Sequence, residues 1–156
     1  MAIRKILKST DPALRSVCKP VEKFDEKLWT LLDDMAETLY KAKGYGLAAP
    51  QIGILRRICV IDVGEGLIDC VNPVILKPSG KQRDVEGCLS CPNVWGYVVR
   101  PMRCKLRAQN RYGEFYEMDL KEMFCRCACH EVDHLSGKLF IDMVDEFVQP
   151  DEQEEE

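Results

Sequence analysis

The sequence predicts an α+β fold in one domain. Three observations carry the prediction: apolar residues at helical spacing towards either end, β-branched or alternating stretches gathered between them, and no repeated strand–helix–strand unit. The chain has 156 residues, 46% apolar and 31% charged, a size and composition that let one domain bury its own core. The domain is expected over residues 1–148, with an acidic disordered tail over 149–156.

Leu28, Leu31, Leu32, Met35 and Leu39 recur at helical spacing, between a possible N-cap at Asp25 and a stop at Gly44, so the first helix is a packing helix. The run Arg57 to Val63 (RICVIDV) is β-branched and largely apolar, as a buried strand would be. Cys70 to Leu76 is a second candidate strand. From Met102 to Ala108 the alternation is clean: Met102, Cys104, Leu106 and Ala108 share one face, Arg103, Lys105 and Arg107 the other. The basic face could be a nucleic-acid stripe, but a solvated strand face is the simpler reading. Arg111 to Gly113 makes a turn into Glu114 to Met118, which suggests a hairpin. A second helix is expected to begin near Asp119, with Glu122 three residues on as in a capping box, and to end at Gly137.

Charge and cysteine content narrow the function. The formal charge of −4 comes from the tail, since Asp151, Glu152, Glu154, Glu155 and Glu156 are acidic; without those five, 22 basic residues face 26 − 5 = 21 acidic ones. A nearly neutral body gives no electrostatic ground for direct nucleic-acid binding. No apolar run approaches the roughly 18 to 20 residues of a membrane span, and Met1 to Lys8 lacks the apolar region of a signal peptide, so a cytoplasmic protein is expected. Nine cysteines without such a signal, and odd in number, read as reduced thiols, most of them buried, with a metal ligand among them.

The chemistry is concentrated in His130-Glu131-Val132-Asp133-His134. On a helix, positions i and i+4 lie one turn apart on one face, so both imidazoles can reach one ion while Glu131, turned about 100° aside, can hold a water. A catalytic site wants three protein ligands and an open position. No other histidine exists in the chain, and Glu86-Gly87-Cys88-Leu89-Ser90 offers Cys88 from a glycine-containing loop. Cys91 completes a C-x-x-C pair, so a structural Cys2His2 site is the rival; its spacing to the histidines is unlike a zinc finger's, and it leaves Glu131 without a role. Cys125, Cys127 and Cys129 spread over different helix faces and read as buried small residues. Gly44-Tyr45-Gly46-Leu47-Ala48-Ala49-Pro50-Gln51 lets backbone approach another chain closely, and Gln51 brings an amide donor of the kind that steadies an oxyanion.

These three stretches resemble the peptide deformylase family, whose motifs are GxGLAAxQ, EGCLS and HExDH, present here in that order. The likeness runs from about Ile3 to Val148 and includes Asp11-Pro12-Ala13-Leu14-Arg15 and Leu135 to Phe140 (LSGKLF). It implies antiparallel sheets packed around a central metal-bearing C-terminal helix, with the first helix packed at the N-terminal side. It implies Cys88, His130 and His134 as ligands of one Fe2+, for which Zn2+ or Ni2+ can substitute. Glu131 would be the general acid/base for a metal-bound water attacking the formyl carbon; Gln51 and the Leu89 N–H would face the oxyanion, and Gly46 would offer backbone hydrogen bonds to the peptide. The implied reaction removes the N-formyl group from the initiator methionine of new polypeptides, releasing formate. Its substrates are N-formylmethionyl nascent peptides, which the family meets at the ribosome; the acidic tail gives no ground for docking there. Met123 and Cys127 share the helical stripe of His130 and His134 and could line an apolar pocket for the methionine side chain, although core packing would also explain them. Cys129 departs from the family, which commonly has glutamine there, and Asp133 could orient a histidine or pair with Arg100. A peptidase built on HExxH is the remaining enzymatic alternative, but it lacks a suitable downstream third ligand.

Overall fold

A computed structural model describes residues 2–149. The acidic run from 150 onwards lies outside the described residues, so the expected disordered tail is not among them.

Among the described residues, two α-helices and eight strands follow in the order α1 (Glu26–Ala42), β1 (Gly46–Ala48), β2 (Ile58–Ile61), β3 (Ile68–Ser79), β4 (Gln82–Cys88), β5 (Cys91–Arg100), β6 (Arg103–Gln109), β7 (Phe115–Lys121), α2 (Glu122–His134) and β8 (Glu146–Phe147), with short 3-10 turns at Pro12–Arg15, Ala49–Ile52 and Phe140–Asp142. The strands pair antiparallel in two sheets, ordered β1-β2-β3-β6-β7 and β4-β5-β8. This is the α+β architecture the sequence predicts. α1 begins at its expected cap, where the Asp25 carboxylate accepts from the Leu28 N–H at 3.3 Å. Its end differs slightly: Lys43, at φ 59°, takes the left-handed position that Gly44 was expected to fill. β6 alternates as read, with Cys104, Leu106 and Ala108 buried and Arg103 and Arg107 exposed.

α2 departs from the expectation at both ends. Asp119 does not cap it, because β7 runs on to Lys121 and pairs Asp119 with Lys105. The Glu122 N–H still donates to the Met102 carbonyl at 2.8 Å, so the backbone stays tied to the sheet up to a corner at Glu122, φ 54°, and no helix can start before it. The helix closes at His134 rather than Gly137. Gly137 serves a different purpose: at φ 75° its backbone passes so close to the Arg15 carbonyl that a Cβ would sit 2.6 Å from the oxygen.

Three apolar clusters hold the parts together. One joins α2 to the larger sheet through Cys104, Leu106, Ala108, Leu120, Cys125 and Ala128. Another packs α1 on β1 and β2 through Leu32, Met35, Leu39, Leu47, Ile58 and Val60. A small third cluster, Cys91, Val98 and Phe140, anchors the smaller sheet. The N-terminal arm laces these regions. Its N–H groups at Ala2, Arg4, Leu7 and Ser9 donate in turn to Asp34 Oδ1, Thr38 Oγ1, the Gln51 carbonyl and the Ser90 carbonyl, at 2.7, 2.8, 2.7 and 2.9 Å.

Candidate active site

The site lies where the tip of one hairpin meets one face of α2. Glu86 to Ser90, read from sequence as a glycine-containing loop, belongs to the hairpin β4–β5; Leu89 and Ser90 make its two-residue turn, which sets Cys88 opposite Cys91. The two thiols stay in contact with each other, but their further partners differ. Cys88 joins His130 and His134 in a group whose ligand atoms lie within 4.8 Å of one another, whereas Cys91 is buried against Val98 and Phe140. The geometry therefore does not make the Cys2His2 set.

Within this group, Cys88 Sγ stands 3.4 Å from His134 Nε2. The imidazoles of His130 and His134 are 5.0 Å apart between centroids, inclined by 70°. Glu86 Oε1 lies 3.0 Å from His130 Nδ1, which fixes that ring and leaves its Nε2 for a ligand. Sequence reading missed Glu86. The same carboxylate takes two hydrogen bonds from Arg100, at 2.9 and 3.0 Å, and one from Arg126 at 2.5 Å. Arg100 in turn reaches Asp133 at 2.6 Å, so of the two roles considered for Asp133 the pairing with Arg100 is the one formed. Burial pushes the Glu86 carboxyl up, but the hydrogen bonds from His130 and Arg100 outweigh it and hold it at about 2. Glu86 is thus a fixed anion among two guanidinium groups and an imidazole.

Glu131 has the opposite environment. Burial, reinforced by repulsion from Glu86 and Asp133, pushes its carboxyl up to about 7. Its Oε1 is buried without a hydrogen-bond partner, and its Oε2 lies against Gly46, where a Cβ would come within 2.6 Å. Gln51 occupies the other side. Its Oε1 accepts from the Ala48 N–H at 2.9 Å, which orients the amide so that Nε2 faces Ser90 Oγ at 3.1 Å and Cys88 Sγ at 3.5 Å. All of this opens on a cavity of about 390 Å³ whose wall includes Gly46, Leu89, Trp95, Met123 and Cys127. Met123 and Cys127 line it as the helical stripe suggested. Cys129 does not join Cys88 and the histidines; it turns to Cys104 and Cys125.

The donor set fits one divalent ion. A thiol and two imidazoles are borderline-soft donors suited to a first-row metal, three protein ligands leave a position open to the cavity, and Glu131 Oε1 remains buried without a partner.

A family model described as polypeptide deformylase matches residues 3–149. The chain belongs to the polypeptide deformylase family. A peptide deformylase of Caldicellulosiruptor bescii is 52% identical over 155 residues, covering 99% of this chain and 93% of that protein. One from Acetivibrio thermocellus is also 52% identical, covering 99% and 91%. The crystal structure of the Thermotoga maritima peptide deformylase matches with a TM-score of 0.91 at 42% identity, covering 93% of this chain and 99% of that one. The chain is accordingly a deformylase, a hydrolase that removes the N-formyl group from N-formylmethionyl peptides. Deformylases are metal-dependent, and Cys88, His130 and His134 are a group in this deformylase that can hold an ion. No described helix is long and apolar enough to cross a membrane.

Proposed function

We propose that this deformylase works with one Fe2+ held by Cys88, His130 and His134, replaceable by Zn2+ or Ni2+, on nascent N-formylmethionyl chains in the cytoplasm. The convergence of those three side chains beside a partnerless buried carboxylate is the observation that carries the reading. Bound there, a divalent ion supplies Lewis acidity, drawing the pKa of water from about 15.7 towards about 7 and polarising a carbonyl oxygen.

The chain's own residues do the rest. Glu131, with a carboxyl near neutrality, takes a proton from the attacking water and later returns it to the leaving amine. The Gln51 amide and the Leu89 N–H face the oxygen that gains negative charge, where one such donor contributes about 3 kcal/mol. Gly46 offers its backbone to the peptide because, without a Cβ, that backbone lies directly against Glu131. Met123 and Cys127 form an apolar wall for the methionine side chain. The domain over 1–148 suffices for all of these groups. All nine cysteines are free, which agrees with a reducing compartment.

The test is formate release from formyl-Met-Ala under anaerobic conditions, with an internally cleavable peptide as control, and metal content measured alongside. Cys88→Ala is expected to lose both metal and activity, Cys91→Ala to keep its metal. Equal metal loss in both variants, or cleavage of the control peptide, contradicts the assignment.

A further inference from the structure

The side of α2 turned away from the histidine cluster carries a second convergence of soft ligands. Cys125 and Cys129 stand one helical turn apart, and Cys104 meets them from β6. Their three Sγ atoms lie within 4.8 Å of one another, and Cys104 and Cys125 approach to 3.0 Å. The residues are 5%, 0% and 8% exposed respectively. The deformylase reaction uses none of them. From sequence, Cys125, Cys127 and Cys129 read as packing residues on different helix faces; Cys125 and Cys129, four residues apart, in fact share one, and Cys104 is brought beneath it only by the pairing of β6 with β7 and the strand-to-helix corner at Glu122.

We propose that Cys104, Cys125 and Cys129 form a three-thiol site for trivalent arsenic, taken up as neutral arsenous acid. Three sulfurs with no nitrogen or oxygen donor select a soft centre. Geometry permits it: at thiolate bond lengths of about 2.3 Å, a three-coordinate centre holds its sulfurs roughly 4 Å apart or closer, within the spacing found here.

Charge decides which soft centre. A monovalent ion on three thiolates leaves two net negative charges, and a divalent ion leaves one, in a place where unpaired charge is strongly disfavoured. The guanidinium groups whose charge reaches Cys129 and Cys125 are Arg100 and Arg126, and both are already matched by Glu86 and Asp133. Among the described residues, neither guanidinium group that reaches these two thiols is left over to balance an anionic complex. A trivalent centre with three thiolates is neutral and needs none.

The uptake is balanced without an oxidant. Arsenous acid, As(OH)3, loses three As–O bonds and each thiol its S–H bond; three As–S bonds form, and each released proton leaves with a hydroxyl as water, three in all. Arsenic stays trivalent throughout. Both the entering molecule and the buried thiols are uncharged, so no ion has to cross the core. The product ties β6 to α2 one residue before His130.

The experiment titrates the full-length, metal-loaded protein with sodium arsenite, anaerobically and with a phosphine as the only reductant, and follows it by native mass spectrometry. One arsenic per chain is expected, retained by Cys91→Ala. Cys104→Ala and Cys125→Ala are each expected to weaken retention more than about tenfold, since each removes one arm of the chelate. X-ray absorption at the arsenic edge of the unsubstituted protein, which depends on no variant's folding, should show three sulfur neighbours and no oxygen. Absence of binding, retention by the Cys104 and Cys125 variants, loss in Cys91→Ala, or a surviving As–O bond would each overturn the site.

Discussion

Glu86 and Glu131 are both buried carboxylates on the same site, yet their surroundings drive them apart. Glu86 is surrounded by donors and stays ionised; Glu131 has lost its water without gaining a donor to Oε1, and its carboxyl rises to about 7. A proton carrier at neutral pH needs the second environment. Glu131→Gln keeps a side chain of the same size but cannot move protons. The variant is expected to retain its metal and to lose deformylation by a factor on the order of 10² to 10⁴; formate release normalised to metal content checks this, and a full rate at full occupancy contradicts it. Gly46 tests position rather than proton affinity. A methyl group added there meets Glu131 Oε2 at 2.6 Å, too close for either group to stay where it is. Gly46→Ala should lower kcat by up to about 10²-fold through displacement of the carboxylate, with metal content unchanged. A change in KM alone would show that Glu131 is not displaced. HExDH names Glu131 at once, since its spacing is local. Glu86 was hidden inside EGCLS because its partners, Arg100, Arg126 and His130, come from two other elements and no local pattern announces them.

Elements were legible in proportion to how regularly their sequences repeat. α1 could be read because five apolar residues keep one face and Asp25 caps the first turn; Asp25→Ala is expected to destabilise the protein by about 1 kcal/mol, seen as a lower urea midpoint with deformylase activity intact. An unchanged midpoint would mean that the 3.3 Å cap bond contributes nothing. β6 could be read from strict alternation. The hairpin of β4 and β5 could not, since Gly87, Pro92, Asn93 and Gly96 interrupt its pattern with residues that ordinarily mark turns. The two glycines have packing reasons: a Cβ on Gly87 would overlap the Trp95 ring, and one on Gly96 would press on Val144 at 2.5 Å. The start of α2 was misplaced for a related reason. Asp119 and Glu122 have the spacing of a capping box, but β6 claims the backbone up to Glu122 first. Here a tertiary hydrogen bond prevails over a local preference worth about 1 kcal/mol.

Across the whole molecule, the N-terminal arm adds hydrogen bonds that link α1, the segment after β1 and the β4–β5 turn. Asp34 fastens its first residues. Burial pushes that carboxyl up, but hydrogen bonds from the Ala2 N–H and the Arg4 guanidinium outweigh it and hold it below its ordinary 3.8. A carboxyl lowered on folding contributes stability that is present above its unfolded value and fades as pH falls through the folded one. The difference in urea midpoint between the parent and Asp34→Asn should therefore be present near about pH 6 and shrink towards about pH 3; a gap that stays constant with pH contradicts the pairing. The arm's reach also sets a timetable. A growing chain releases its N-terminus first, but Asp34, Thr38, Gln51 and Ser90 must all be made before the arm can dock, and His130 and His134 follow only after β7. A fragment that stops before α2 therefore holds only Cys88 of the three residues proposed to bind the ion, and is not expected to deformylate.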